Sequence, residues 1–140
     1  MNEQYRELLF IDLCGRIPYK VRMFEIEPIN DIQSNLTLLS VTNKESVICI
    51  TPSGGVIGSS IDAFKPYLFP LSSMTEEQKD NCPIGETNLN IIKSNTGYGI
   101  IEIPWRLLYI FIEWCNKNHF DYRGLIEKGL AIDCTNLNIY

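Results

Sequence analysis

The chain has 140 residues, of which 45% are hydrophobic, and 17 acidic against 12 basic side chains give a formal net charge of -5. This size and hydrophobic content predict one domain spanning residues 1–140 and exclude a disordered chain, which needs low hydrophobicity and high net charge. The acidic balance argues against nucleic acid as the main partner, because phosphate binding relies on basic faces. No apolar run reaches the roughly 20 residues of a membrane span.

The first half of the chain predicts one helix followed by antiparallel strands. Residues 3–14 place apolar side chains at helical spacing, and Gly15 is expected to end this helix in the left-handed conformation. Beyond it, apolar and polar residues alternate with a period of two between turn residues, which predicts strands. Their expected bounds are about 19–27, 36–41, 47–51 and 56–58.

The middle of the chain predicts a break followed by a short helix. Pro66 and Pro70 interrupt regular structure and leave an extended aromatic segment between the strands and the helix. Ser73 and Glu76 match the Ser-x-x-Glu capping box, which predicts a helix over residues 74–81.

The last third predicts two helices after a polar loop. Pro104 suits the start of a helix, while Asp121 suits the N-cap and Gly129 the C′ position of a second one. The predicted elements are a mobile loop at 85–98, a further short strand within 98–103, and helices at 105–118 and 122–128. The fold class is therefore expected to be α+β, with an antiparallel meander of three to five strands packed against an N-terminal helix and a C-terminal helical segment.

The cysteines and the single histidine limit the metal chemistry that this chain can support. The five cysteines are scattered and never form a Cys-x-x-Cys pair, and no N-terminal signal is present, which is typical of reduced thiols in a cytoplasmic protein. Cys115 and His119 are four residues apart, as two ligands on one helix face are, but zinc takes three or four protein ligands. We expect no metal and no other cofactor.

Catalytic motifs are sparse. No Gly-x-Ser-x-Gly elbow is present, and any nucleophile would have only His119 as its histidine base. The carboxylate pairs Glu25/Glu27 and Glu76/Glu77 have no supporting residues. We therefore expect a protein that is not an enzyme, with a small hydrolase that uses His119 as the alternative.

The candidate binding residues are those that folding leaves unexplained. Tyr and Arg are enriched at binding hot spots, and Tyr122 and Arg123 follow directly after the expected cap, with His119 one turn earlier. Two successive glycines favour a hairpin turn, although their N–H groups also suit a small phosphorylated ligand. The candidate ligand- or partner-binding residues are His119, Tyr122, Arg123, Gly54, Gly55 and Tyr67.

Three blocks of the chain resemble a family of small proteins encoded in phages and prophages of the gut Bacteroides group. The blocks are Arg16 to Val21, Lys65 to Glu77 and Trp114 to Ala131. Phe69 stands where the family has an arginine, which removes a positive charge. The family is functionally uncharacterised, so the resemblance implies an origin in a phage or prophage and brings no activity with it.

Three functions follow as hypotheses. The first is a non-enzymatic binding protein in the bacterial host cytoplasm, with a counter-defence role that occupies a host defence protein or sequesters a nucleotide signal. The second is a virion structural or assembly accessory protein, and the third is the hydrolase. The expected partners are a host or phage protein or a small phosphorylated ligand, with no membrane, and self-association into a homo-oligomer stays open.

Overall fold

The computed structural model describes residues 1–26, 35–93 and 103–140. The helices are α1 (Glu3–Arg16), α2 (Glu76–Asp80), α3 (Gly85–Lys93) and α4 (Trp105–Lys117). The strands are β1 (Arg22–Glu25), β2 (Leu36–Asn43), β3 (Ser46–Ile50), β4 (Val56–Ser60), β5 (Phe64–Pro70), β6 (Phe120–Asp121) and β7 (Ile132–Asp133). Short 3₁₀ turns lie at Ile17–Tyr19, Ile61–Ala63 and Leu71–Ser73. Within the described ranges, no helix has the length and apolar character needed to cross a membrane.

The strands form one mixed sheet in the order β4-β3-β2-β1-β5-β6, and β7 also pairs with β5. Strands β1 to β4 and the β1–β5 pair are antiparallel, whereas β6 and β7 run parallel to β5. The predicted α+β class, with a meander between an N-terminal and a C-terminal helix, is confirmed. The two parallel pairings were not predicted, because β6 and β7 have two residues each and carry no periodic signal.

The aromatic segment around the two prolines is a strand rather than an irregular connection. β5 lies inside the sheet although it contains Pro66 and Pro70. The N–H of Ile26 donates to the carbonyl of Ala63, so these two residues are a hydrogen-bonded pair of the β1–β5 ladder. Hydrogen-bonded and non-hydrogen-bonded pairs alternate along an antiparallel ladder. The pair of Pro66 and Met23 is therefore one without ladder hydrogen bonds. The missing proline N–H is therefore not needed on that side, and the expectation of a break was wrong.

Among the described residues, the buried hydrophobic side chains form two clusters, and β5 contributes side chains to both. The larger packs α1 against the meander, with Leu13, Met23 and Phe64 fully buried. The smaller packs α3, α4 and the residues that flank α2 against β6, and it contains Leu89 and Phe111. The segment after β6 joins the two clusters, because Leu125 belongs to the first and the flanking Tyr122 to the second.

The first helix ends later than predicted, and for a different reason. Gly15 lies inside α1, where an added Cβ atom would be 3.0 Å from Nδ2 of Asn116 on α4. Glycine at this position therefore permits the close approach of α1 to α4. The chain turns instead at Lys20, which takes the left-handed φ of 55°, and β1 consequently begins at Arg22 rather than near residue 19.

Two further predictions in the middle of the chain were wrong. The capping box of α2 is formed by Thr75 and Gln78, whereas the Ser73 hydroxyl donates to the carbonyl of Pro70. Residues 85–93 of the predicted mobile loop form α3, because the buried Leu89 anchors this segment against the second cluster. Three predicted parts lie outside the described residues. They are the rest of that loop, residues 98–102 of the short strand expected within 98–103, and residue 27 at the end of the first predicted strand.

Candidate functional site

The segment after α4 is held by one carboxylate. Asp121 is buried, and its oxygens accept hydrogen bonds from the backbone N–H groups of Arg123 (3.2 Å), Leu125 (2.9 Å) and Ile126 (2.8 Å). A carboxylate that accepts several N–H bonds at the start of a helical turn satisfies donors that would otherwise be unpaired. The predicted capping role of Asp121 is therefore present.

The helix predicted at 122–128 is a single turn. Gly129 has a φ of 69° and its N–H bonds to the carbonyl of Ile126, while the N–H of Leu130 bonds to the carbonyl of Leu125. This pair of bonds is the Schellman motif that ends a helix at a left-handed C′ residue. Gly124 also has a positive φ of 68°, so helical backbone begins only after this residue. Too few residues remain between Gly124 and the C′ residue Gly129 to form a helix.

A cavity of about 350 Å³ opens beside this turn, and we call it the turn pocket. Small-molecule sites usually measure roughly 300–1,000 Å³ and combine apolar walls with a few polar groups. The turn pocket fits this description, since it joins aliphatic side chains from three segments to an aromatic ring and two cationic groups. Its lining includes Leu71, Ile92, Tyr122, Arg123, Ile126 and Lys128.

Two arginines lie close to the Tyr122 ring, which forms one wall of the pocket. The guanidinium carbons of Arg123 and Arg16 lie 4.9 Å and 5.6 Å from the centre of the Tyr122 ring. Both arginines also approach the Asp12 carboxylate, Arg16 through Nε at 2.6 Å and Arg123 through Nε at 3.4 Å. Arg16 and Asp12 are fully buried, whereas the Arg123 side chain is 28% exposed. Only Arg123 of these charges therefore reaches the solvent side of the pocket.

The second cation of the turn pocket is Lys128. Its ammonium group donates to the backbone carbonyls of Arg123 (3.2 Å) and Gly124 (3.1 Å), which folds the side chain back over the turn. The exposed Glu127 also lines the pocket and supplies a carboxylate. Because the Asp121 carboxylate is occupied by backbone N–H groups, the solvent-facing charges are two cations against one anion.

The predicted binding residues fall into three separate places. Tyr122 and Arg123 lie together in the turn pocket. His119 stacks on Tyr140, with ring centres 3.9 Å apart, and the hydroxyl of Tyr140 donates to the carbonyl of Tyr67. Tyr67 and His119 therefore both contact Tyr140, but neither residue lines the turn pocket.

The glycine pair is remote from the other candidates. Gly54 and Gly55 connect β3 to β4 at the far edge of the sheet, with three strands between β4 and β5. The N–H of Gly54 donates to the carbonyl of Thr51, and the N–H of Gly55 donates to the Thr51 hydroxyl. Both donors are used inside the hairpin turn. The structure therefore favours the hairpin interpretation over a phosphate-binding loop.

The environment of His119 holds its ring in the neutral form. Burial, together with the charge of Arg16, lowers the pKa of His119 from its ordinary value to about 4. The ring nitrogen Nδ1 is buried and has no hydrogen-bond partner among the described residues. His119 also takes a left-handed φ of 59°, which turns the chain from α4 into β6. These contacts give His119 a structural role.

The pKa of His119 can be measured directly, because it is the only histidine in the sequence. We expect its ring signals in an NMR titration to change near pH 4 in the folded protein. Since the folded state binds this proton less readily than the unfolded chain, stability should fall as the pH drops from about 6.5 toward 4. Replacing Tyr140 by Ala should move the midpoint upward, and a wild-type midpoint near 6.5 would contradict the burial of the ring.

The cysteines and carboxylates give no support for metal or nucleophilic chemistry. All five cysteines are free, and all but Cys14 are buried. Burial raises the pKa of Cys49 to about 12 and of Cys134 to about 11, which keeps both as thiols. No group of three or more metal-ligating side chains occurs in the described part of the chain. Glu76 pairs with Lys79 on the surface of α2, and Glu27 lies outside the described residues.

Several residues that line the turn pocket or support it from the core were missed at the level of sequence. Asp12 and Arg16 have the i, i+4 spacing of an ion pair on a helix, and this spacing could have predicted their contact. No sequence pattern predicted that Lys128 lines the pocket, because the place of its side chain depends on the backbone turn at Gly124. Ile92 was assigned to a loop and therefore was not considered as a pocket wall.

Comparisons of this chain with models of known protein families, with curated proteins and with solved structures find no match.

Proposed function

We propose that this protein is a non-enzymatic binding protein whose turn pocket holds a small phosphorylated ligand. The observation that carries the proposal is the meeting of an aromatic ring, two cationic groups and aliphatic walls in one cavity of about 350 Å³. A guanidinium and an ammonium bind phosphate oxygens through charge-assisted hydrogen bonds, which are roughly twice as strong as neutral ones. The ring and the aliphatic walls suit the apolar or planar part of such a ligand.

The position of Arg123 supports this role. Its guanidinium is held in place by the Asp12 carboxylate and by the Tyr122 hydroxyl, which lies 3.2 Å from Nε. A side chain that is already ordered loses less conformational entropy when a ligand binds. The fixed orientation of Arg123 is therefore the kind of preorganisation that a binding site needs.

The biological setting is proposed from the resemblance described above. Under an origin in a phage or prophage, a cytoplasmic protein with this pocket would sequester a nucleotide signal of the host and so act against its defence. A nucleotide joins a planar base to phosphate, which are the two chemistries that the turn pocket combines. Sequestration needs binding without turnover, and the place of His119, which stacks on Tyr140 and does not line the turn pocket, supports binding over hydrolysis by this residue.

The proposal is tested by calorimetric titration with adenosine 5′-monophosphate as the probe. We expect Lys128→Gln to weaken binding about tenfold, because a hydrogen bond to a charged group contributes about 1.5–3 kcal/mol. The matched control is Lys44→Gln, which removes an exposed lysine that lies in the turn between β2 and β3 and does not line the pocket. Equal loss of affinity in both variants, or no heat of binding to the wild type at millimolar probe, would contradict the proposal.

Native mass spectrometry of the protein purified from phage-infected host cells tests the setting separately. A co-purifying nucleotide supports sequestration of a host signal. A co-purifying host protein supports occupation of a defence protein and counts against the small-ligand site.

A further inference from the structure

The outer face of α4 carries large apolar side chains that face solvent. Trp105 is 74% exposed, Tyr109 61% and Ile110 47%. With 3.6 residues per turn, these positions share one side of the first half of the helix, and the buried Phe111 and Cys115 lie on the other. Nearer the end of the helix, Asn116 lies on the exposed side but is buried against Gly15 of α1. We call the exposed side, with Arg106 and Glu113, the α4 face. Contiguous exposed apolar surface of this kind marks an interaction site more often than scattered single residues do.

The α4 face has opposite charges near its two ends. Arg106 is exposed at the start of the helix, where its guanidinium lies 5.5 Å from the centre of the Trp105 ring. Glu113 lies two turns later on the same side, is half-buried, and accepts a hydrogen bond from the Tyr19 hydroxyl through one oxygen. A cation at one end and an anion at the other make the face complementary to itself when it is reversed.

We propose that the α4 face is the contact between two copies of this chain, packed antiparallel about a two-fold axis. An axis passing near Tyr109 and Ile110 sets Arg106 of each copy against Glu113 of the other. The apolar side chains then lie at the centre of the contact and the two ion pairs at its rim, which is the usual anatomy of a protein interface. A membrane surface fits this face less well, because Glu113 would be carried toward anionic headgroups.

The dimer is expected to be weak. A helix of 13 residues is about 20 Å long, so a single helix pair buries less than the roughly 800 Å² per partner of a standard interface. We therefore expect a dissociation constant on the order of 10 μM. No residue of α4 lines the turn pocket, so the dimer and the proposed ligand binding can be tested independently.

Sedimentation velocity between micromolar and submillimolar protein tests the dimer through a charge swap. Arg106→Glu and Glu113→Arg should each weaken association about tenfold or more, because like charges then face each other. The double variant should restore the wild-type constant. Lys44→Glu is the matched control for charge reversal, and Tyr19→Phe isolates the loss of the hydrogen bond to Glu113.

Two outcomes would overturn the inference. One is a wild-type chain that stays monomeric at every concentration, including the case in which the monomer binds vesicles of anionic lipid. The other is a double variant that associates no better than the single ones.

Tyr109→Ala, which alters only an exposed side chain, should also weaken the dimer about tenfold.

Discussion

Replacing Arg16 by Ala is expected to lower the free energy of unfolding by about 3–5 kcal/mol, because it leaves the Asp12 carboxylate buried without its main partner. Arg16 and Asp12 are both fully buried and joined by two hydrogen bonds of 2.6 Å and 3.2 Å. Burial alone would lower the pKa of Arg16, but the charge of Asp12 and the hydrogen bond between them leave it raised. Arg16 also donates to the carbonyl of Phe120 at 2.8 Å and so ties α1 to β6.

The matched control is Arg6→Ala, which breaks a similar arginine–aspartate pair near the surface. Arg6 donates to both oxygens of Asp62, but the two side chains are 26% and 30% exposed. Solvent screens such a pair and ordering its two side chains costs entropy, so its loss should lower the free energy of unfolding much less than the loss of Arg16 does. Urea unfolding of both variants makes the comparison, and a loss at Arg16 no larger than that at Arg6 would contradict the account of the buried pair.

Replacing Asp121 by Ala is expected to lower the free energy of unfolding by about 3 kcal/mol, since three backbone N–H groups lose their acceptor. The N–H of Leu125 is buried with its side chain in the core, so water cannot replace the carboxylate there without opening the cluster. The variant should also disorder the turn that carries Tyr122 and Arg123. Thermal or urea unfolding measures the loss.

Asp133→Ala provides the control for this second variant. The Asp133 carboxylate also accepts from a backbone N–H and a hydroxyl, both of Thr135, but all of these groups are exposed. Water can replace its bonds, so we expect a loss below about 1 kcal/mol. If the two variants unfold at the same urea concentration, burial of the Asp121 cap has no special role.

The local periodicity of the sequence predicted most of the meander and the first helix, because their apolar positions repeat over several residues, whereas cap and proline signals predicted helices in the regions of α2 and α4. It failed where a neighbouring element decides the outcome. Gly15 appeared to be a helix stop, but its small size serves the contact with Asn116. β5 was missed because Pro66 is tolerated only at a ladder position that the pairing with β1 defines. Short parallel strands such as β6 likewise depend on partners distant in sequence.

The candidate site was predicted in part. Tyr122 and Arg123 stood out because no folding role explained them, and both line the turn pocket. Their buried support, Asp12 and Arg16, lies more than 100 positions earlier in the chain, and nothing in either segment indicates that they meet. The glycine pair was misleading for a physical reason, since a hairpin turn uses the same N–H groups that a phosphate would need.

An NMR titration shows whether the turn pocket is a ligand site. Amide signals of ¹⁵N-labelled protein would be followed as adenosine 5′-monophosphate is added. We predict saturable shifts confined to the residues around the turn, above all Tyr122, Arg123 and Lys128, and their loss in Lys128→Gln. Shifts concentrated at Gly54 and Gly55, or an unchanged spectrum at millimolar probe, would contradict the account.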